Sequence, residues 1–170
     1  MTTDNRLVTS IFKDRTDLEG GYNSLIERGY KPEDVNFVMS DDTRKKYFHG
    51  KDVKTELGNK SAEGLGTGAA IGGTLGGIAA AVAAIGTALV LPGLGIIVAG
   101  PLAAGLAGAG AGGIAGGLIG ALVGMGIPEE RVKQYEGEIA KGGILMGVNT
   151  RSDTDSEAIR NDWNRYNSNL

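Results

Sequence analysis

The chain has 170 residues, with 20 acidic against 17 basic side chains, one His and no Cys. A net charge of −3 and a pI near 5.2 exclude the basic surface that duplex nucleic acid requires, and the lack of Cys excludes disulfides, thiolate metal sites and thiol nucleophiles. Thirty residues are Gly, but only four are Pro and no strict three-residue period accompanies them, which excludes collagen.

The N-terminal residues show no basic start followed by an apolar stretch, so no cleaved secretion signal is expected and the chain is expected to stay inside the cell. Leu7 to Phe12 is β-rich, with Leu7 and Ile11 on one side and Val8 and Phe12 on the other, as in a strand covered on both faces or at a sheet centre. Thr16-Asp-Leu-Glu19 has capping-box spacing, Leu18, Tyr22, Leu25 and Ile26 recur at helical intervals, and Gly29 sits where a left-handed cap belongs. After Lys31-Pro-Glu-Asp34 the run Val35 to Ser40 places Val35, Phe37 and Met39 on one strand face. These residues predict a β-α-β unit over 1–40. Residues 41–63 read as a charged linker, in which Arg44, Lys45, Lys46, Lys51, Lys54 and Lys60 are nearly balanced by Asp41, Asp42, Asp52, Glu56 and Glu63.

From Gly64 to Pro128, 65 consecutive residues carry no charge, no His and no aromatic ring, so all 37 formal charges lie on the flanks. Pro92 and Pro101 bracket a tip and divide residues 64–127 into two arms of about 25 residues, Gly66 to Leu91 and Leu102 to Gly126. As helices each would reach about 37 Å, enough for a hydrocarbon core of about 30 Å. In arm one Ile71, Leu75, Ile78 and Val82 lead a large-residue ridge, and Gly68, Gly72 and Gly76 step by four on another face. In arm two Gly108, Gly112, Gly116, Gly120 and Gly124 form four overlapping GxxxG units, the pattern that lets helix backbones approach closely. These twelve residues are the predicted self-association site. Seven Gly in arm one and ten in arm two would burden two solvated helices by about 14 to 17 kcal/mol relative to Ala. A lone hairpin would also expose more apolar surface than a monomer normally shows. Lipid or copies of the chain must therefore cover it. Length and absence of charge favour lipid; the lack of interfacial Trp or Tyr, the moderate hydropathy and a tip without polar anchors favour protein.

Beyond the stretch, Pro128 suits the first position of a helix, Glu129 and Glu130 favour its positive end, and Val132, Tyr135 and Ile139 form its inner stripe. Gly142 and Gly143 end it, Ile144 to Val148 is a strand, and Ser152 to Asp155 offers N-caps for a last helix carrying Ile159, Trp163 and Tyr166. The expected fold is α+β: a small ferredoxin-like βαβ…αβα layer, three helices against three strands over 1–40 and 128–170, interrupted by a long Gly/Ala-rich apolar α-helical hairpin.

The helix ending Glu27-Arg-Gly-Tyr30, the strand Val35 to Ser40, the Pro-Gly-Leu-Gly tip and the segment Gly126 to Val148 (GIPEERVKQYEGEIAKGGILMGV) resemble bacterial heat-induced general stress proteins with a glycine-zipper insertion. The resemblance implies stress-associated expression, a membrane association and no established reaction, hence no catalytic residue to carry over.

Chemical motifs are sparse. Gly108 to Gly113 spells GxGxxG but follows no strand and belongs to the zipper pattern. His49 beside Asp41, Asp42 and Asp52 matches no ligand spacing. Ser10, Ser24 and Ser40 share that one His and lack a nucleophile elbow. Glu129 and Glu130 are helix-start residues rather than an acid/base pair. No cofactor, metal, nucleic acid or small-molecule substrate is expected. The expected function is a non-enzymatic, stress-associated homo-oligomer with its hairpin in the bilayer and its α+β layer on the cytoplasmic side of the inner membrane; the alternative is a soluble cytoplasmic scaffold, a cage, tube or fibre, with hairpins packed into an apolar shell.

Overall fold

The computed structural model describes residues 7–48, 88–91, 95–103, 117–124 and 126–166. In chain order the elements are β1 (Leu7–Phe12), α1 (Arg15–Glu27), β2 (Val35–Ser40), α2 (Asp41–Phe48), β3 (Ala88–Leu91), β4 (Ile96–Ala99), α3 (Gly117–Gly124), α4 (Glu129–Ala140), β5 (Ile144–Asn149) and α5 (Asp153–Tyr166). The chain is thus mixed α+β. Its five strands form one sheet in the order β1-β5-β2-β4-β3, every neighbouring pair antiparallel. Strand β5 lies between β1 and β2, with Leu7 opposite Asn149, Phe12 opposite Ile144 and Val35 opposite Val148. β1 and β2 therefore run parallel, joined by α1 and split by β5.

Both faces of the sheet are apolar, and both are covered. Val8, Phe12, Val35, Phe37, Met39, Ile144, Met146 and Val148 meet Leu18, Tyr22 and Leu25 of α1 and Ile159 and Trp163 of α5. On the opposite face Ile11, Val38, Ile96, Val98 and Leu145 meet Leu102, Ala103, Leu122 of α3, Ile127, and Val132 and Ile139 of α4. The sequence predicted three helices against one three-stranded layer. The structure instead has five strands between helices on both sides, because the alternation in β1, β2 and β5 leaves apolar side chains on each face that water would otherwise touch.

The second correction concerns residues 88–99, expected to finish the first helical arm and form the hairpin tip. Ala88–Leu91 and Ile96–Ala99 are strands that pair with each other, and β4 pairs with β2 from Phe37 opposite Ala99 to Ser40 opposite Ile96. Ile96, Ile97, Val98 and Ala99 are all buried. Ile-Ile-Val after the sequence Pro-Gly-Leu-Gly has the β-branched character of a short buried strand, a pattern that helical stepping of small residues cannot separate from a helix end over four residues. The remainder of both predicted arms, apart from 101–103 and α3, lies outside the described residues.

Smaller corrections follow from capping. The N-cap of α1 is Asp14, whose carboxylate accepts from the Asp17 N–H at 2.9 Å, two residues before the predicted Thr16. The first eight residues of the predicted charged linker are α2, capped by Ser40, whose Oγ accepts from the Thr43 N–H at 3.1 Å. Pro128 flanks α4 rather than opening it, its carbonyl accepting from the Val132 N–H at 3.1 Å. Helices α1, α3 and α4 all end in the same paired turn. Gly29, Gly126 and Gly142 take positive φ (79°, 87° and 101°), and the next residue's N–H returns to Leu25, Leu122 and Glu138 respectively.

Candidate functional site

Of the predicted self-association residues, Gly68, Ile71, Gly72, Leu75, Gly76, Ile78, Val82, Gly108, Gly112 and Gly116 lie outside the described residues. Gly120 and Gly124 lie on α3, and the structure shows which way they face. Leu122 is 1 % exposed and Ile119 packs beside it against the second sheet face. At 3.6 residues per turn Gly120 and Gly124 are each about 160° around the helix from Leu122, so anchoring Leu122 turns both outward. Both are exposed, and a Cβ placed on either meets nothing within 4 Å. Between them stands Val123, at 39 % the one large hydrophobic side chain classed as exposed among the described residues.

The end of α3 fixes this orientation. The Gly126 N–H returns to Val123 O at 2.8 Å and the Ile127 N–H to Leu122 O at 3.1 Å, while Ile127 packs into the cluster that holds Leu122. At its other side Leu122 meets Leu102, and with Leu7, Thr9, Asn36, Val38, Leu145 and Gly147 they line an apolar cavity of about 10 Å³. That space holds about one water and no organic ligand.

On the neighbouring helix Glu129 and Glu138 are occupied by local pairing. Glu129 accepts from Lys133 at 2.8 Å, which holds its carboxyl below the usual range, and Glu138 does the same with Lys141 at 2.8 Å. Ser24 Oγ donates to Gly21 O and Ser40 caps α2, so both hydroxyls serve local structure. His49 lies outside the described residues. Among the described residues no group of three His, Asp or Glu side chains is placed to hold a metal ion, and no helix is long and apolar enough to cross a membrane.

One polar cluster went unnoticed in the sequence. The Tyr30 hydroxyl donates to the Asp155 carboxylate and accepts from the Arg151 N–H at 3.2 Å, while the Arg151 guanidinium sits 4.2 Å from the ring centroid and donates to Gly29 O at 2.5 Å. Arg28 completes it by donating to Asp162 at 2.5 Å. Burial, then the hydrogen bond to Asp155, raises the Tyr30 hydroxyl above its ordinary pKa. These groups bond one another and latch the end of α1 to the start of α5. Asn36 also went unnoticed, because a lone Asn in an apolar strand carries no motif; it bonds Leu102 across the second face.

No family model matches the chain, and no curated protein or solved structure matches it at a significant level.

Proposed function

We propose that the protein is a non-enzymatic self-associating module whose α+β body presents glycine-faced helix to further copies of the chain. The observation that carries this reading is the open face Gly120-Val123-Gly124, held outward by a buried Leu122. A helix with hydrogen at two positions one turn apart and a branched apolar side chain between them suits close backbone approach by a second helix. The flanking β1-α1-β2 and α4-β5-α5 segments read as a ferredoxin-like layer carrying the glycine-rich insertion, and their resemblance to general stress proteins supports stress-associated expression.

Topology favours protein over lipid as the covering. Ala88–Leu91 and Ile96–Ala99, inside the uncharged stretch, pair as strands of the sheet instead of continuing a helix long enough for a hydrocarbon core of about 30 Å. The test is sedimentation of detergent-free protein across a concentration series, with vesicle flotation in parallel. Concentration-dependent particles that do not float support the reading; a monomer at every concentration overturns it, and flotation with vesicles assigns the covering to lipid.

A further inference from the structure

We infer that Asn36 is a positioning residue for the candidate self-association helix, an inference that rests on the reading above. Asn36 is a polar side chain at 3 % exposure in the central strand β2, on the same sheet face as Val38. Both ends of its amide are bonded. Nδ2 donates to the carbonyl of Gly147, its partner across the ladder, at 3.3 Å, and Oδ1 accepts from the Leu102 N–H at 2.7 Å. The second bond reaches 66 positions along the chain, to the first turn after β4.

The surroundings are shaped for that bond. Gly100 has φ +103°, and a Cβ there would be driven into the Val35 carbonyl oxygen and 3.0 Å from Asn36 Cα, so the backbone at this corner lies against β2. Pro101 follows, with φ already suited to a helical turn and no N–H to satisfy. The first free N–H of the turn is that of Leu102, and Asn36 receives it. Leu102 and Leu122 then share the small cavity over Val38 and Leu145. An unpartnered Leu102 N–H on this buried face would carry a desolvation penalty. Asn36 thus sets where Leu102 sits, Leu102 sets the socket for Leu122, and Leu122 decides that Gly120, Val123 and Gly124 face outward.

The experiment uses the absence of native Cys. Single thiols are introduced by Leu122→Cys or, on the opposite sheet face, by Ile159→Cys, each with and without Asn36→Ala, and iodoacetamide alkylation is followed in dilute full-length protein. Release of α3 raises the rate at position 122 by about tenfold or more relative to 159, whereas global destabilisation raises both together. An unchanged ratio overturns the role of Asn36. In concentrated protein Asn36→Ala weakens assembly by about tenfold, the equivalent of one lost hydrogen bond to a buried group. A wild-type chain that never assembles removes the self-association reading, and the thiol ratio still decides whether Asn36 positions α3. If Asn36→Ala does not fold, Asn36→Val keeps a strand-forming side chain of similar size while leaving the Leu102 N–H unpartnered: a raised 122-to-159 ratio supports the mechanism, and a parental one overturns it.

Discussion

The indole Nε1 of Trp163 donates to the carbonyl oxygen of Gly21 at 3.1 Å, tying the last helix to the middle of the first. This bond requires α1 and α5 to approach closely, and the adjacent pair Gly20-Gly21 permits it. A Cβ on Gly21 would stand 2.7 Å from the ring of Phe12 and 3.1 Å from Met146 Cε, both fully buried. A Cβ on Gly20 would strike the ring of Tyr166, which is only half-buried near the end of α5 and free to turn aside. The two substitutions therefore differ in sign. Gly20→Ala recovers helix propensity of about 1 kcal/mol, whereas Gly21→Ala incurs overpacking of about 1 to 3 kcal/mol that exceeds or cancels the same gain. Urea unfolding midpoints check this; equal shifts for both variants would contradict the packing at Phe12.

Strand β4 yields a test of topology. Val98 is 0 % exposed and pairs with Val38, so Val98→Lys places an ammonium inside the second face among the apolar side chains of Ile11, Val38, Leu102 and Leu145. Loss of the buried side chain and burial of a charge together remove more than about 3 kcal/mol or abolish folding. Thermal denaturation measures it. A variant as stable as the parent would return residues 96–99 to an exposed hairpin tip.

The flanks were mostly legible from their amino acids because the main local signals agreed with the tertiary outcome, the exceptions being the Thr16 capping box, Pro128 as first helical residue and the helix Asp41–Phe48. Leu7/Ile11 and Val8/Phe12 do separate onto the two sheet faces, Gly29 does close α1, and Ser152 does cap α5, its Oγ accepting from the Asp155 N–H at 3.1 Å. The middle was less legible for two physical reasons. In Ala88–Leu91 and Ile96–Ala99 every residue is apolar, so no polar alternation marks a strand, and their pairing with β2 is a long-range event. Among the predicted self-association residues, the sequence gives the four-residue step from Gly120 to Gly124 but not its direction. That direction depends on Leu122 and Ile127 meeting the sheet, and ultimately on Asn36, which has no periodic signature.

Tyr22 and Tyr30 should make stability fall at alkaline pH. Burial is the first cause raising both hydroxyls above the ordinary value of 10.0, with Glu33 adding to it at Tyr22 and the Asp155 hydrogen bond at Tyr30. An acid whose folded pKa is raised stays protonated longer in the folded chain. Its contribution is complete below the unfolded value and is lost as pH rises through the folded one. Unfolding midpoints should therefore fall as pH climbs past about 10, and Tyr30→Phe should flatten part of that decline. A profile that keeps its full slope in Tyr30→Phe would show that the Tyr30–Asp155 bond does not govern it.

Gly120→Leu separates folding from assembly. The position is exposed and open for 4 Å around a new Cβ, so the Leu side chain starts out in open space and exchanges the poorest non-proline helix former for a good one. The folded monomer should gain about 0.5 to 1 kcal/mol. The same side chain stands where a partner backbone would approach, and a glycine contact cannot close over a branched four-carbon group. Assembly should weaken by about tenfold or more, roughly 1.4 kcal/mol, while the unfolding midpoint of dilute protein rises. Opposite movement of the two quantities is the decisive feature, because a substitution that merely damaged the fold would lower both. Sedimentation and urea denaturation of one preparation measure them together. If Gly120→Leu assembles as the parent does, the contact between copies lies on another face of the chain.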